Sequence, residues 1–160
     1  VEGAYRPRNG ARTPMQWNSS KNLGFSSAVA EKLYLPVDTA KDAPNVEIQE
    51  KDSTSLLNRT RRLIQLKHTE PALADYAEFV PLFAKENTYP FIYARAKDQD
   101  VVLVVLNPSS NEVKADFELN IDYRNTLVLA GKELKLNRTG KQVSVTVPGQ
   151  SYSIIKLKQE

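Results

Sequence analysis

The side chains best suited to binding a ligand lie together in one short stretch, RNGARTPMQW at residues 8–17. It holds two arginines (Arg8 and Arg12), the amide Gln16, and Trp17, the only tryptophan of the chain. Guanidinium groups can donate paired hydrogen bonds to hydroxyl or carboxylate oxygens, and an indole can pack against a sugar face. The stretch has neither a strand period nor a helical period, which predicts a loop. Two interpretations stay open: a ligand-binding loop, or an irregular loop whose apolar side chains fill a gap in a core.

Other kinds of catalytic or metal chemistry find little support. The chain has no cysteine and one histidine, which excludes thiolate chemistry and a histidine-rich metal site, so we expect no metal and no cofactor. His68 falls at the end of a predicted helix, where the helix dipole favours a cation, so a surface or capping role is preferred. Paired carboxyls for glycosidase chemistry must face each other across a cleft, which spacing alone cannot show. The carboxylates that alternate with apolar residues or lie in predicted turns are Asp98, Asp100, Asp116 and Glu118.

The charge pattern argues against two classes of partner. The 22 basic and 19 acidic residues are interspersed, and residues 59–62 form the only dense basic cluster. Nucleic-acid binding would favour a basic stripe with stacking aromatics, so no nucleic-acid partner is expected. No apolar run is long enough to span a membrane, and the first ten residues do not resemble a signal peptide. The lack of cysteine slightly favours the cytoplasm, but the compartment stays open.

Two regions of different character must position these side chains. Residues 1–50 contain four of the nine prolines and almost no periodicity, which predicts a long loop. Apolar residues at helical spacing then predict a helix over Ser53–His68, capped by Asp52 or Ser53. This helix should stop before Pro71, since proline disfavours a helical residue before it. Its apolar face needs a partner to cover it.

From about residue 76 the pattern becomes short strands separated by turns, which predicts an antiparallel β-sandwich of seven or eight strands. Residues 101–106 are continuously apolar and β-branched, as in a central strand buried on both faces. The fold is therefore predicted to be mainly β with one long helix. The other predicted strands lie at residues 91–95, 113–119, 126–129, 133–136, 142–147 and 152–157.

Several ordered blocks carry a resemblance to a known family. They are RTPMQW at 12–17, NLGFS at 22–26, LYLPV at 33–37, NVE-x-Q at 45–49 and SLLNRTRRLIQLKHTEPAL at 55–73. Together they resemble the α-amylase family, glycoside hydrolase family 13. Within it they look most like the branch of trehalose synthases, oligo-1,6-glucosidases and α-glucosidases. The run Arg8-Asn9-Gly10, Gln49 and the SLLN-x-TRR run are most similar to trehalose synthases.

The resemblance implies a domain organisation. Family members have a (β/α)8 barrel followed by an antiparallel β-sandwich, with the active site on the loops after the barrel strands. Residues 1–73 look like the end of a truncated barrel, namely the loop after its eighth strand and its final helix. Residues 74–160 look like the C-terminal β-sandwich. The missing catalytic barrel would then be the partner of the uncovered helix face.

The resemblance also implies roles for single residues. Arg8 matches an arginine that helps to bind the glucose next to the scissile bond, and Arg12, Gln16 and Trp17 match residues that support that loop. The catalytic aspartates and glutamate of the family lie on earlier barrel strands, so no catalytic residue is expected here. The implied chemistry is a retaining double displacement on α-glucan or maltose-type oligosaccharides. The segment 38–45 is shorter than its usual trehalose synthase counterpart, which leaves maltose isomerisation open.

The role of the β-domain has two interpretations. It either supports the barrel structurally, which we prefer, or acts as an autonomous carbohydrate-binding module with exposed aromatic side chains. Without a barrel, we expect flexibility in residues 1–50 and self-association through the exposed helix face. The candidate sugar-stacking side chains are Tyr76, Tyr89, Tyr93, Tyr123 and Tyr152.

Overall fold

A computed structural model of the chain describes residues 12–40 and 42–159. The chain divides into two compact units, Val1–Arg62 and Leu63–Glu160. The predicted domain boundary between residues 73 and 74 stays a prediction. The helices of the described chain are α1, Val46–Lys51, and α2, Leu56–Thr69, and single 3-10 turns cover Lys21–Gly24, Ala30–Lys32 and Pro71–Leu73.

Helix α1 lies where a continuous loop was predicted, so the loop prediction is wrong for these residues. The side chain of Asn45 caps the helix, because its Oδ1 accepts a hydrogen bond of 3.0 Å from the N–H of Ile48. Lys51 and Glu47, one turn apart, form an ion pair of 2.9 Å on its surface. A helix of six residues is too short for its apolar residues to show a helical period.

Helix α2 confirms the predicted long helix but begins three residues later than expected. Asp52 does not cap it; its Oδ1 accepts from the N–H of Thr54 at 2.7 Å, which forms a turn before the helix. Ser55 is the capping residue, since its Oγ accepts from the N–H of Asn58. The helix ends at Thr69, before Pro71, as proline requires.

The apolar face of α2 is largely uncovered. No residue of this helix is buried in the described structure, and Leu56 and Ile64 are 75% and 55% exposed. An amphipathic helix normally buries such side chains against another element. No helix in the described part of the chain is long and apolar enough to cross a membrane.

The second unit is an antiparallel β-sandwich, as predicted. A five-stranded sheet has the order β1-β2-β3-β8-β5, and a three-stranded sheet has the order β4-β7-β6. The eight strands are β1 Glu78–Phe83, β2 Phe91–Lys97, β3 Asp100–Asn107, β4 Val113–Glu118, β5 Asn125–Gly131, β6 Leu136–Thr139, β7 Gln142–Val147 and β8 Ser151–Lys158.

The main core contains residues of both sheets. Ile92, Leu103 and Ile155 of the larger sheet belong to one buried cluster with Phe117 and Val145 of the smaller sheet. These side chains come from alternating positions, because successive residues of a strand point to opposite faces. The strands predicted at 113–119 and 142–147 thus each place every second residue in this core.

Strand β3 is buried on both faces, which confirms the prediction for residues 101–106. Its odd-numbered residues, such as Leu103, belong to the main core, whereas Val102 and Val104 form a second cluster. Ala72, from the 3-10 turn that follows α2, is buried in that second cluster. The turn therefore covers part of the outer face of the larger sheet.

One predicted strand, at 133–136, is wrong. Strand β5 continues to Gly131, and β6 begins only at Leu136. The alternation in this segment reports the burial of Leu134, whose side chain belongs to the main core although its backbone lies outside a strand. Strand β1 contains Pro81, which is tolerated because β1 is an edge strand.

Candidate functional site

The loop that carries the arginine and tryptophan residues is attached to helix α1 by backbone hydrogen bonds. The carbonyl oxygens of Gln16 and Trp17 accept from the N–H groups of Val46 and Glu47, each at 3.0 Å. These N–H groups are in the first turn of α1, where a helix has no internal acceptors for them. The loop and the Asn45 side chain therefore satisfy the donors at the start of α1, and the position of residues 16 and 17 is fixed by main-chain bonds.

A tight turn closes the loop on its other side. The N–H of Trp17 donates to the carbonyl of Leu23 at 2.8 Å, and Asn22 and Leu23 both have left-handed backbone conformations. The Nδ2 of Asn22 donates to the carbonyls of Ser26 and Ala28, each at 2.8 Å. Residues 17–28 thus form a compact loop that is held by hydrogen bonds among its own residues.

Glycine is favoured at position 24 of this turn for two reasons. Its φ is +74°, a conformation that side chains rarely adopt. A Cβ at this position would also approach the side chain of Asn18 to 2.7 Å. The NLGFS block of the family resemblance is therefore explained by the shape of this turn.

The described side chains of the loop are accessible. Trp17 and Met15 are each 49% exposed, Arg12 is exposed, and Gln16 is half-buried. Trp17 and Met15 therefore do not fill a core within the described structure, whereas Pro14 is buried. The predicted substrate-binding residue Arg8 lies outside the described residues.

Gln49 organises the connection between the two helices. Its Oε1 accepts from the N–H of Leu57 at 2.9 Å, in the first turn of α2. Its carbonyl oxygen accepts from the Oγ of Ser55 at 2.7 Å and from the Nδ2 of Asn58 at 2.8 Å. Gln49 lies in the NVE-x-Q block, and Ser55 and Asn58 lie in the SLLN block. The family resemblance therefore singled out these residues, although it did not indicate that they contact one another.

Two arginines of the basic cluster at residues 59–62 form contacts with nearby residues of the chain. Arg61 donates to the Oδ1 of Asn58 at 2.9 Å and forms a 3.4 Å ion pair with Glu50, and Arg62 donates to the carbonyl of Ser53 at 2.8 Å. The hydrogen bonds from Thr54 hold the pKa of the Asp52 carboxyl below its ordinary value. These groups reinforce the turn before α2.

The carboxylates considered in the sequence belong to the second unit, and three of them, Asp100, Asp116 and Glu118, have structural partners. Asp116 accepts from Ser144, and Glu118 accepts from Gln142 at 3.0 Å, both between strands β4 and β7. Among the described residues, no group of three or more histidine, cysteine or acidic side chains could hold a metal ion.

The tyrosine candidates differ in exposure. Tyr76 and Tyr89 are exposed, whereas Tyr93, Tyr123 and Tyr152 are half-buried. The ammonium of Lys97 lies 4.3 Å from the ring centre of Tyr76, and the guanidinium of Arg138 lies 5.1 Å from that of Tyr123. Both rings therefore already have a cation against one face.

Comparison with known proteins identifies the family. Residues 2–76, which include this loop and α2, match the family described as Alpha amylase, catalytic domain. The chain is 35% identical over 153 residues to the trehalose synthase/amylase TreS of Mycobacterium tuberculosis, covering 91% of the chain and 25% of that relative. It is 33% identical over 111 residues to a probable oligo-1,6-glucosidase of Bacillus subtilis, covering 67% of the chain and 18% of that relative.

A solved structure shares the fold. The isomaltulose synthase of Erwinia rhapontici, as a mutant in complex with D-glucose, has a TM-score of 0.73 and 26% sequence identity. The match covers 94% of this chain and 26% of that one. Residues 2–76 therefore match the α-amylase family, and the resemblance of the chain to the trehalose synthase and oligo-1,6-glucosidase branch is confirmed. It spans about a quarter of the length of the first curated relatives that it matches.

Proposed function

We propose that this chain supplies the substrate loop, the last barrel helix and the C-terminal β-domain of an enzyme that acts on α-glucosidic bonds. The observation that carries the proposal is the loop of residues 12–17. The backbone of Gln16 and Trp17 is hydrogen-bonded to α1, while the Trp17 side chain is half exposed. A rigid backbone that presents an aromatic side chain is suited to bind a sugar with little ordering cost.

In this proposal Arg8 binds the glucose unit next to the scissile bond. Arg12, Gln16 and Trp17 hold the shape of the loop and form one wall of the binding site. The reaction would be a retaining double displacement, in which one carboxylate forms a glycosyl-enzyme bond and a second carboxyl acts as acid and then base. Both groups would come from barrel strands outside residues 1–160, so this chain alone would be inactive.

The proposed substrates are maltose-type oligosaccharides or α-glucans. Relatives of this chain are a trehalose synthase/amylase and a probable oligo-1,6-glucosidase, which are named for transfer and for hydrolysis. The glycosyl-enzyme intermediate is common to both outcomes, since water or a second sugar can attack it. The substrate class is therefore proposed without a choice between hydrolysis and transglucosylation.

The main role proposed for the β-domain is structural. Its two sheets pack around one apolar core, and its strand carboxylates are engaged in contacts between strands. An autonomous carbohydrate-binding module remains the second candidate, and the observation that favours it is the group of aromatic side chains on β1 and β2.

The test compares this chain with a longer polypeptide that also carries the barrel strands. We expect the chain alone to show no turnover of maltose, trehalose or isomaltose, and the longer polypeptide to be active. In the latter, Arg8→Ala should lower kcat/KM by about 100-fold or more, because a charged hydrogen bond to substrate is lost. Arg59→Ala, an exposed arginine on α2, is the control and should retain activity. Turnover by the chain alone, or full activity of Arg8→Ala, would contradict the proposal.

A further inference from the structure

A cavity of about 480 Å³ lies in the second unit, between α2 and the outer face of the larger sheet. Leu63 and Leu66 of α2 form one side, and Leu73 and Ile154 extend the apolar lining. The rings of Phe79 and Tyr93 form the other side, on neighbouring strands β1 and β2. The volume is in the range of small-molecule sites, about 300–1,000 Å³.

The two rings of the aromatic side belong to a row of three, which continues beyond the cavity lining to Phe91. Phe79 and Tyr93 have ring centres 4.9 Å apart, and Phe91 and Tyr93 have ring centres 5.2 Å apart. The planes are tilted by 37° and 39°, so each ring supports its neighbour while part of its face stays open. Phe79 is 49% exposed. The row is thus a preformed apolar platform.

Charged groups lie at the edge of this platform. Lys67 and Asp75 form an ion pair, which lowers the pKa of the Asp75 carboxyl. The Nη2 of Arg95 donates to the carbonyl of Ala74 at 2.6 Å, which positions its guanidinium beside Phe79, its partner in the strand register. The buried Nε of Arg95 has no hydrogen-bond acceptor. An unpaired buried donor is costly, and a ligand oxygen that reached this N–H would satisfy it.

We propose that this cavity binds a glucose-containing mono- or disaccharide. A pyranose has apolar C–H faces that pack on rings, and hydroxyl groups that both donate and accept. The aromatic platform matches the first feature, and Lys67, Asp75 and Arg95 together match the second. A purely apolar ligand would make no use of the charged edge formed by Lys67, Asp75 and Arg95. The choice of glucose rests on the proposed function, and the site itself rests on residues of Leu63–Glu160.

The experiment is a titration of the full chain with maltose, followed by ¹H–¹⁵N NMR. We expect saturable shifts of the amides around Phe79, Tyr93 and Arg95, with a dissociation constant of about 1 mM, as expected for a small and open site. Phe79→Ala should weaken binding by about tenfold through the loss of one stacking ring. Arg95→Lys keeps the charge and should also weaken binding, because an ammonium cannot replace the guanidinium fork.

Leu127→Ala is the control, since Leu127 is an exposed apolar side chain on β5 outside the cavity lining, and it should bind maltose as the unchanged chain does. The amide spectrum of each variant shows whether it is folded before it is titrated. The inference is overturned if maltose causes no saturable shift at these amides, or if Phe79→Ala binds unchanged. It is also overturned if 1-hexanol, an uncharged and mostly apolar probe, binds there while maltose does not. None of these results depends on turnover, so they leave the proposed function to be judged by the Arg8 variant.

Discussion

The carbonyl oxygen of Gln16 accepts a hydrogen bond of 3.0 Å from the backbone N–H of Val46, thirty residues further along the chain. This bond joins the loop of the family motif to the first turn of α1. Because Trp17 makes the equivalent bond to Glu47, the loop acts as part of the cap of that helix. A change at the start of α1 should therefore alter the conformation of the loop, and the fluorescence of Trp17 can detect it.

Asn45→Ala should destabilise α1 and alter the environment of Trp17. The substitution removes the Oδ1 that accepts from Ile48, and loss of such a cap costs about 1 kcal/mol. We expect a shift in the tryptophan fluorescence spectrum. When unfolding in urea is followed by this fluorescence, we expect a lower midpoint concentration of urea. Since Trp17 is the only tryptophan, the signal reports on this loop alone.

The control for this substitution is Asn120→Ala, at an exposed position of the second unit. It should leave both the fluorescence spectrum and the urea midpoint unchanged. An Asn45→Ala chain with the fluorescence and midpoint of the original would show that the cap does not hold the loop.

Asn107→Asp should strongly destabilise the β-sandwich although it changes only one side-chain atom. The buried Nδ2 of Asn107 donates to the carbonyls of Asn111, Val147 and Pro148 at 2.9, 3.2 and 2.9 Å. A carboxylate cannot donate to these oxygens and would place a negative charge among them. We expect a loss of about 3 kcal/mol in the free energy of unfolding at neutral pH, measured by chemical denaturation with circular dichroism.

The loss at residue 107 should shrink as the pH is lowered, because a protonated carboxyl can donate one of the three hydrogen bonds. Asn120→Asp is the isosteric control and should cost little at any pH, since that side chain is exposed. Equal stability of the two variants at neutral pH would mean that the Asn107 bonds contribute nothing to the fold.

The sandwich was predictable where side-chain burial and backbone pairing coincide. In β7, buried and exposed residues alternate throughout, so its period of two gave both its position and its core face. At Leu134 the two properties separate, because the side chain enters the core from an unpaired backbone segment. Periodicity reports burial and not hydrogen bonding, which is why the strand predicted there is wrong.

The position of the candidate site in the chain was predictable from the sequence, but the contacts that hold it were not. The residue types of RTPMQW located the loop, and the family resemblance assigned it to the end of a barrel. The bonds that hold it, from Val46 and Glu47 to Gln16 and Trp17, are main-chain bonds that any residue except proline could donate. Such bonds leave no mark in the sequence, so the attachment to α1 required the structure.

Lys156→Met should destabilise the second unit and remove part of its pH dependence. The ammonium lies 3.0 Å from Oε1 of the buried Glu70 and 2.6 Å from Oδ1 of Asp100. Removing it leaves the Glu70 carboxylate buried without this partner, which costs about 3–5 kcal/mol. The double variant Glu70→Gln with Lys156→Met should recover part of that loss, since no buried charge remains.

The sign of the pH effect follows from the pKa of Lys156. Hydrogen bonds to Asp100 and then Glu70 raise it above its ordinary value of 10.5 in the folded chain. The pair therefore contributes its full stability below the unfolded pKa and loses it as the pH rises through the folded one. The original chain should lose stability more steeply than Lys156→Met above about pH 10.5. Parallel curves of unfolding free energy against pH would contradict the ion-pair account.

Ile64→Glu should reduce self-association of the chain. Ile64 and Leu56 leave apolar surface exposed on α2, and such surface favours contact with another apolar face. We expect sedimentation velocity to show oligomers of the original chain that grow with concentration, and a shift toward monomer in the variant. Leu127→Glu is the control, because Leu127 is an exposed apolar residue on β5 and the same charge is introduced there. If both variants dissociate the oligomers equally, general charge repulsion explains the effect. An original chain that stays monomeric at all concentrations would show that the α2 face does not drive association.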